Sequence, residues 1–221
     1  MKVQTPRALF AMLALALIGM APACSQSIAP PSAPPAYDQP APAMVEGPHA
    51  RHSTTRTINA DAATVRTWIE QGRMMEVLNS TPRVSKPASA DMLAGVWPQE
   101  GAVRRVRQED GHYVAERIVS RNAEGFVYQI WAPTTAAGRN ILYGRGEFRV
   151  TAREDGRSDL TWTYALKAKH FWAQPFVDAF VRDHFAPFME AGMDAFAASA
   201  AAPAKASVLE PTPPEGQSKR P

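Results

Sequence analysis

Between residues 101 and 169 apolar side chains recur at every second position, and this run constrains the fold more than any other feature of the chain. Strands are predicted at 101–108, 112–121, 125–132, 141–152 and 158–169. The turn sequences EDG (109–111), NAEG (122–125), TTAAGRN (134–140) and REDGRSD (153–159) mark the breaks between them. In the last strand Leu160, Trp162, Tyr164, Leu166 and Ala168 point one way, and Asp159, Thr161, Thr163, Ala165 and Lys167 point the other. Short turns with no intervening helix specify an antiparallel meander.

A long helix is predicted after it, over 173–199. Pro175 suits its first turn, and Phe176, Phe180, Phe185, Phe188, Met189, Met193 and Phe196 form a wide apolar face. Pro187 has no N–H to donate to the Asp183 carbonyl, so a kink is expected near 183–187. Ahead of the meander, 53–60 reads as a short strand. Residues 61–72 read as a helix capped by Asn59 or Asp61, with Val65, Trp68 and Ile69 on one stripe and Gly72 as its stop. Residues 73–100, with Pro82, Pro87 and Pro98, read as irregular apart from a short helix around Met74–Asn79.

The ends of the chain carry different signals. Residues 1–23 read as a signal peptide: Lys2 and Arg7, the apolar run ALFAMLALALIGM (8–20), then APA (21–23). Cys24, the only cysteine, follows directly and resembles the acylated cysteine of a bacterial lipobox, although Ala21 stands where Leu is usual. The alternative is ordinary secretion with an incidental Cys24. Either reading places the protein outside the cytoplasm, in the periplasm or on a bacterial envelope membrane. One cysteine allows no internal disulfide, so the core must hold the fold. Residues 24–51, rich in Pro and Ala, read as an extended tether, and 201–221 as a disordered tail. The folded domain is then 52–200. Over residues 53–200 there are 18 Lys+Arg and 17 Asp+Glu, which argues against a nucleic-acid partner.

This order of elements resembles the SRPBCC superfamily, also called START-like or birch-pollen-allergen-like, and within it the polyketide cyclase/dehydrase group. The stretches INADAATVRTWIEQ, EGAVRRVRQEDGHYVAERIVSRN, YGRGEFRV and SDLTWTYAL carry the resemblance across about 53–199. It implies an α+β helix-grip fold, a curved antiparallel sheet wrapped around the C-terminal helix and enclosing a cavity for a hydrophobic small molecule or lipid. Fold is specified better than activity.

The hairpin GAVRRVRQEDGHYVAERI (101–118) places charge among Val and Ile. With a two-residue turn at Asp110-Gly111, Arg105 faces Glu116, Val103 faces Ile118 and Arg107 faces Val114. A longer turn sets Glu116 against Val106. The Arg105–Glu116 pair is either a cross-strand ion pair without a ligand role or the polar element of a pocket wall. The residues expected to line the pocket are Trp68, Arg105, Glu116, Tyr128, Ile130, Phe180 and His184, joined by Trp162 and Tyr164 if their face is the concave one. His184 shares the line Phe176, Phe180, His184, Phe188.

Metal, phosphate-loop and cysteine chemistry are not indicated: the five histidines (49, 52, 112, 170, 184) lack ligand spacing, and no cofactor is implied. Three functions follow. The first is an exported, membrane-tethered, monomeric carrier of an apolar ligand. The second is a cyclase/dehydrase-type enzyme using Glu116, Arg105 and His184 or Tyr128 for proton transfer. The third is an envelope interaction protein whose cavity is filled by its own side chains.

Overall fold

The computed structural model describes residues 28–201. The expected signal peptide, Cys24 and the tail over 202–221 lie outside the described residues. Seven antiparallel strands form one sheet in the order β1-β7-β6-β5-β4-β3-β2. They are β1 (Ala50–Ile58), β2 (Pro87–Ala94), β3 (Val103–Gln108), β4 (Tyr113–Arg121), β5 (Gly125–Trp131), β6 (Ile141–Ala152) and β7 (Ser158–Ala168). Helices α1 (Ala62–Glu70) and α2 (Arg73–Val77) link β1 to β2. The described residues end with α3 (Gln174–Phe180), a π-turn (Val181–Phe185) and α4 (Ala186–Ala201). This is the α+β helix-grip architecture.

Strand β2 lies in the stretch expected to be irregular. It is an edge strand, exposed along nearly its whole length, and begins with Pro87. With neither face buried it needs no apolar alternation, and a proline is tolerated at its first position.

The β3–β4 hairpin closes through three residues, Glu109-Asp110-Gly111. Gln108 N–H donates to the His112 carbonyl at 2.7 Å, and Gly111 takes the positive φ of 85° that such a turn requires. The resulting register pairs Arg104 with Glu116 and Arg105 with Ala115. The expected pairing is therefore one residue out. A one-residue slip exchanges the faces, so Arg104 points to the concave side and Arg105 to the convex side.

At the expected kink the hydrogen-bond ladder lengthens. Ala186 N–H bonds the Val181 carbonyl, five residues back, just before Pro187, which has no N–H to offer the Asp183 carbonyl. The buried stripe of this segment runs through Val177, Val181 and Phe188–Met189, then Met193 and Phe196, whereas Phe176 is left 66% exposed. From Phe185 onward the apolar face is the expected one; before the π-turn its phase is one residue off, with Val177 and Val181 buried in place of Phe176 and Phe180. Helix α4 is fixed to β1 by Glu190, which accepts from Thr54 Oγ1 at 2.7 Å and meets His52 Nε2 at 2.6 Å and Arg56 Nη2 at 2.8 Å. Arg56 Nε also reaches Asp194 at 2.6 Å.

Residues 28–49 are not a free tether. They form a strap along the convex face, without helix or strand of their own before β1 begins at Ala50. A proline-rich chain leaves its carbonyls without internal donors, and the convex face supplies side-chain donors. His112 Nε2 lies 3.1 Å from the Ile28 carbonyl, Arg105 Nη1 bonds Pro35 at 3.1 Å, and Gln129 Nε2 bonds Pro42 at 2.8 Å. Val45 N–H donates to Tyr143 Oη at 3.0 Å, and Lys167 Nζ reaches the Glu46 and Pro48 carbonyls at 3.2 Å. Tyr37 and Ala41 pack on a small second core of Ala115, Trp131 and Tyr143. The strap thereby covers part of the convex face, while Arg51, Ser53, Thr55 and Thr57 of β1 stay exposed.

Candidate functional site

The concave face, α1–α2 and the π-turn–α4 junction line a partly open cavity of about 150 Å³. Its wall is mostly aromatic and aliphatic: Phe126, Tyr128, Ile130, Phe148, Trp162 and Tyr164 from the sheet, Phe185 and Phe188 from the helix, and Met74, Met75 and Leu78 from α2 and its end. The alternation of β5 and β7 places these rings on one side. Two glycines in β6 make room for them. A Cβ on Gly146 would stand 2.1 Å from the Tyr128 ring, and one on Gly144 would stand 2.8 Å from Ile130, Leu166 and Tyr164. Each is a strand glycine required by close approach of a neighbour. The rings then interlock: Phe148 stacks on Trp162 at 5.3 Å, Tyr128 meets Tyr164 edge-on at 5.9 Å, and Trp162 Nε1 donates to Tyr128 Oη at 3.1 Å.

One ion pair interrupts the apolar wall. Arg104 Nε and Nη2 both contact Glu116 Oε2 at 2.5 Å, with the side chains 14% and 11% exposed. The Arg104 guanidinium lies over the Trp97 ring at 3.5 Å, and Trp97 in turn packs edge-on against Phe126 at 6.1 Å. Glu116 Oε1 and the Tyr164 hydroxyl have no hydrogen-bond partner among the described residues, and both residues line the cavity. Gln108 contributes a buried side-chain amide oxygen that has no partner among the described residues. Burial, and secondarily the Glu116 charge, hold the Tyr128 phenol well above its usual range; burial and then Tyr128 and Glu116 do the same for Tyr164. Both remain neutral hydroxyls at physiological pH.

Of the expected pocket residues, Glu116, Tyr128 and Ile130 line the cavity, as do Trp162 and Tyr164. Four do not. Arg105 lies on the convex face, where it bonds Asp91 at 3.0 Å and the strap. Trp68 packs edge-on against the core residue Phe196, beneath the Arg73 guanidinium, and its neighbour Ile69 takes the cavity position. Phe180 and His184 pack on each other at 6.1 Å, and Phe185 faces the cavity in their place. Arg104 and Trp97 were missed. Arg104 was one register step away; Trp97 sits in a Gly- and Pro-containing stretch with no periodicity to mark it. Among the described residues no group of His, Cys, Asp or Glu could hold a metal ion.

A curved antiparallel sheet gripping a C-terminal helix over an apolar cavity defines the SRPBCC class. Residues 49–201 match the family described as polyketide cyclase/dehydrase and lipid transport, and the chain belongs to that family. Among solved structures, the fold is similar to ginseng major latex-like protein 151 from Panax ginseng, at 11% identity and TM-score 0.52 over 71% of this chain and all of that one. It is also similar to the Zhui aromatase/cyclase of a Streptomyces species, at 15% identity and TM-score 0.50 over 69% of this chain and 93% of that one. These likenesses concern the fold alone. A comparison with curated proteins gives no match.

Proposed function

We propose that this protein is exported, acylated on Cys24 and held at a bacterial envelope membrane, where as a monomer it carries an apolar small molecule or lipid moiety in its cavity. The observation that carries the reading is the cavity itself: an aromatic and aliphatic wall with a few converging polar atoms, which is the usual composition of a small-molecule site. The apolar wall supplies affinity. Glu116 Oε1, the Tyr164 hydroxyl and Gln108 Oε1 orient a ligand that carries a hydroxyl or amide donor.

The cavity, about 150 Å³ and partly open to solvent, is smaller than the roughly 300–1,000 Å³ typical of drug-sized ligands. It accommodates one ring or a short acyl segment. A longer ligand enters by moving Met74 and Met75, whose unbranched side chains repack readily on the five-residue helix α2.

The cyclase/dehydrase alternative draws on Glu116 as a base beside the two tyrosines. The carrier is favoured because Arg104 occupies Glu116 Oε2 with two donors, and because the expected acid–base partner His184 packs away from the cavity. The test is the melting temperature measured against fatty acids, phospholipids, sterols and aromatic polyketides, since a ligand that prefers the folded state raises it. At least one class should raise it for the wild type and raise it less for Val106→Phe, which fills the cavity. Conversion of a bound polyketide would replace the carrier reading with the enzyme. No shift from any class would remove both.

A further inference from the structure

One end of the sheet carries three aromatic side chains that nothing among the described residues covers. Phe171, Trp172 and Phe176 are 91%, 56% and 66% exposed. They lie between the end of β7 and the first turn of α3, and Trp172 is held flat against His170 at 5.1 Å and 14°. Lys169 N–H donates to the Asn140 carbonyl at 2.8 Å, which brings exposed Arg139 alongside exposed Lys169. Neither cation has a carboxylate partner among the described residues. The nearest acid on α3, Asp178, is engaged by Gln174 Nε2 at 2.8 Å.

The strap brings the chain's N-terminal side to this same end. Pairings run Arg107 to Tyr113, Ala115 to Trp131, Trp131 to Tyr143 and Ile141 to Ala168, so the β3–β4 turn and the end of β7 share one end of the sheet. Ile28 is fixed at that turn by His112. From Cys24 to Ile28 there are four chain steps, a reach of at most about 14 Å. Pro87 and Gln108, both cavity residues and only partly buried, sit at this end too.

We infer that Phe171, Trp172 and Phe176, flanked by Lys169 and Arg139, insert into the interfacial region of a lipid bilayer and set the domain with this end of the sheet against the membrane. The inference rests on the anchored reading proposed above. Indole and phenyl rings beside lysine and arginine match an anionic interface, where an amphipathic ring sits at headgroup level and cations meet phosphate. A second copy of the chain fits the patch less well. Three aromatic side chains bury on the order of 450–750 Å² together, short of the roughly 800 Å² per partner of a standard interface. A short anchor and an aromatic foot at one end would dock the domain in one orientation and bring Pro87 and Gln108 near the lipid.

The test uses the full chain on vesicles of phosphatidylethanolamine and phosphatidylglycerol carrying brominated acyl chains. Flotation reports the anchor, and bromine quenching of tryptophan emission reports docking. Quenching is expected in the wild type, lost in Trp172→Phe, and reduced in the Phe171→Ser/Phe176→Ser double variant, because Trp68, Trp97, Trp131 and Trp162 are held in the fold. A wild type that floats with quenching equal to that of Trp172→Phe overturns docking and leaves the anchor standing. Quenching that depends on Trp172 in a chain bearing no lipid on Cys24 upholds docking and removes the anchor. A vesicle-independent dimer abolished by Phe171→Ser, without quenching, assigns the patch to a second copy and overturns the proposal.

Discussion

Arg104 and Glu116 face each other across the β3–β4 hairpin and meet at 2.5 Å on the cavity wall, while Arg105, the next residue, leaves the cavity altogether for Asp91 and the strap on the opposite face. The two arginines thus differ in what removal of a partner does. With Glu116 changed to Gln, Arg104 keeps its charge, mostly buried and stacked on Trp97, with no counter-ion. Breaking such a pair costs about 3–5 kcal/mol. Arg105→Met removes a pair whose Asp91 partner is 58% exposed and costs about 1 kcal/mol or less. Urea midpoints of the two variants measure the contrast; equal shifts would move the Arg104–Glu116 pair to a wet surface.

The Gly146 position tests the tightness of the aromatic wall. Gly146→Ala drives a methyl into the Tyr128 ring and displaces the hydroxyl that accepts from Trp162. Overpacking of this kind costs about 1–3 kcal/mol. A lowered melting temperature together with a changed near-ultraviolet tryptophan signal is the expected result, and an unchanged signal would mean that the wall is loosely packed.

Much of this architecture is legible in the residues, and the exceptions have physical causes. The bounds of β6 and β7 follow from alternation because one of their faces is fully buried. Strand β2 has no buried face, so alternation could not mark it. The hairpin register failed because Glu109-Asp110-Gly111 closes equally well with two or three residues, and one step moves the cavity arginine from 105 to 104. The helix phase holds from Phe185 onward and fails only before the π-turn, because Val177 and Val181 are as apolar as the Phe176–Phe180 line and the five-residue π-turn breaks the regular spacing. The strap reads as a free tether because its partners, Arg105, Gln129 and Tyr143, lie far away in the chain and bond mainly its backbone groups.

Acid weakens the attachment of α4 to β1. Burial pushes the Glu190 carboxyl up, but Thr54, His52 and Arg56 together outweigh it and leave the group below its usual range. A depressed folded value means stability that is present above the unfolded carboxylate range, near pH 4.3, and lost as pH falls through the lower folded value. Glu190 is partly exposed, so the contribution is about 1 kcal/mol or less. The stability gap between wild type and Glu190→Gln should narrow as denaturation is repeated from pH 7 to pH 3. A gap independent of pH would show that the carboxylate charge does not matter.

Acylation of Cys24 is checked by metabolic labelling with an alkyne fatty acid. The wild type should carry the label and Cys24→Ser should not. Equal labelling of both, or of neither, contradicts a lipid anchor at this residue.

The central claim is that the cavity behind Arg104 and Glu116 holds an apolar molecule. Its most direct measurement is native mass spectrometry of the protein released from its host envelope, followed by solvent extraction and identification of whatever is released. The account predicts a stoichiometric apolar adduct in the wild type that is lost or depleted in Val106→Phe. A wild type that flies as the bare chain and yields nothing on extraction would contradict it and return the cavity to a space filled only by its own side chains.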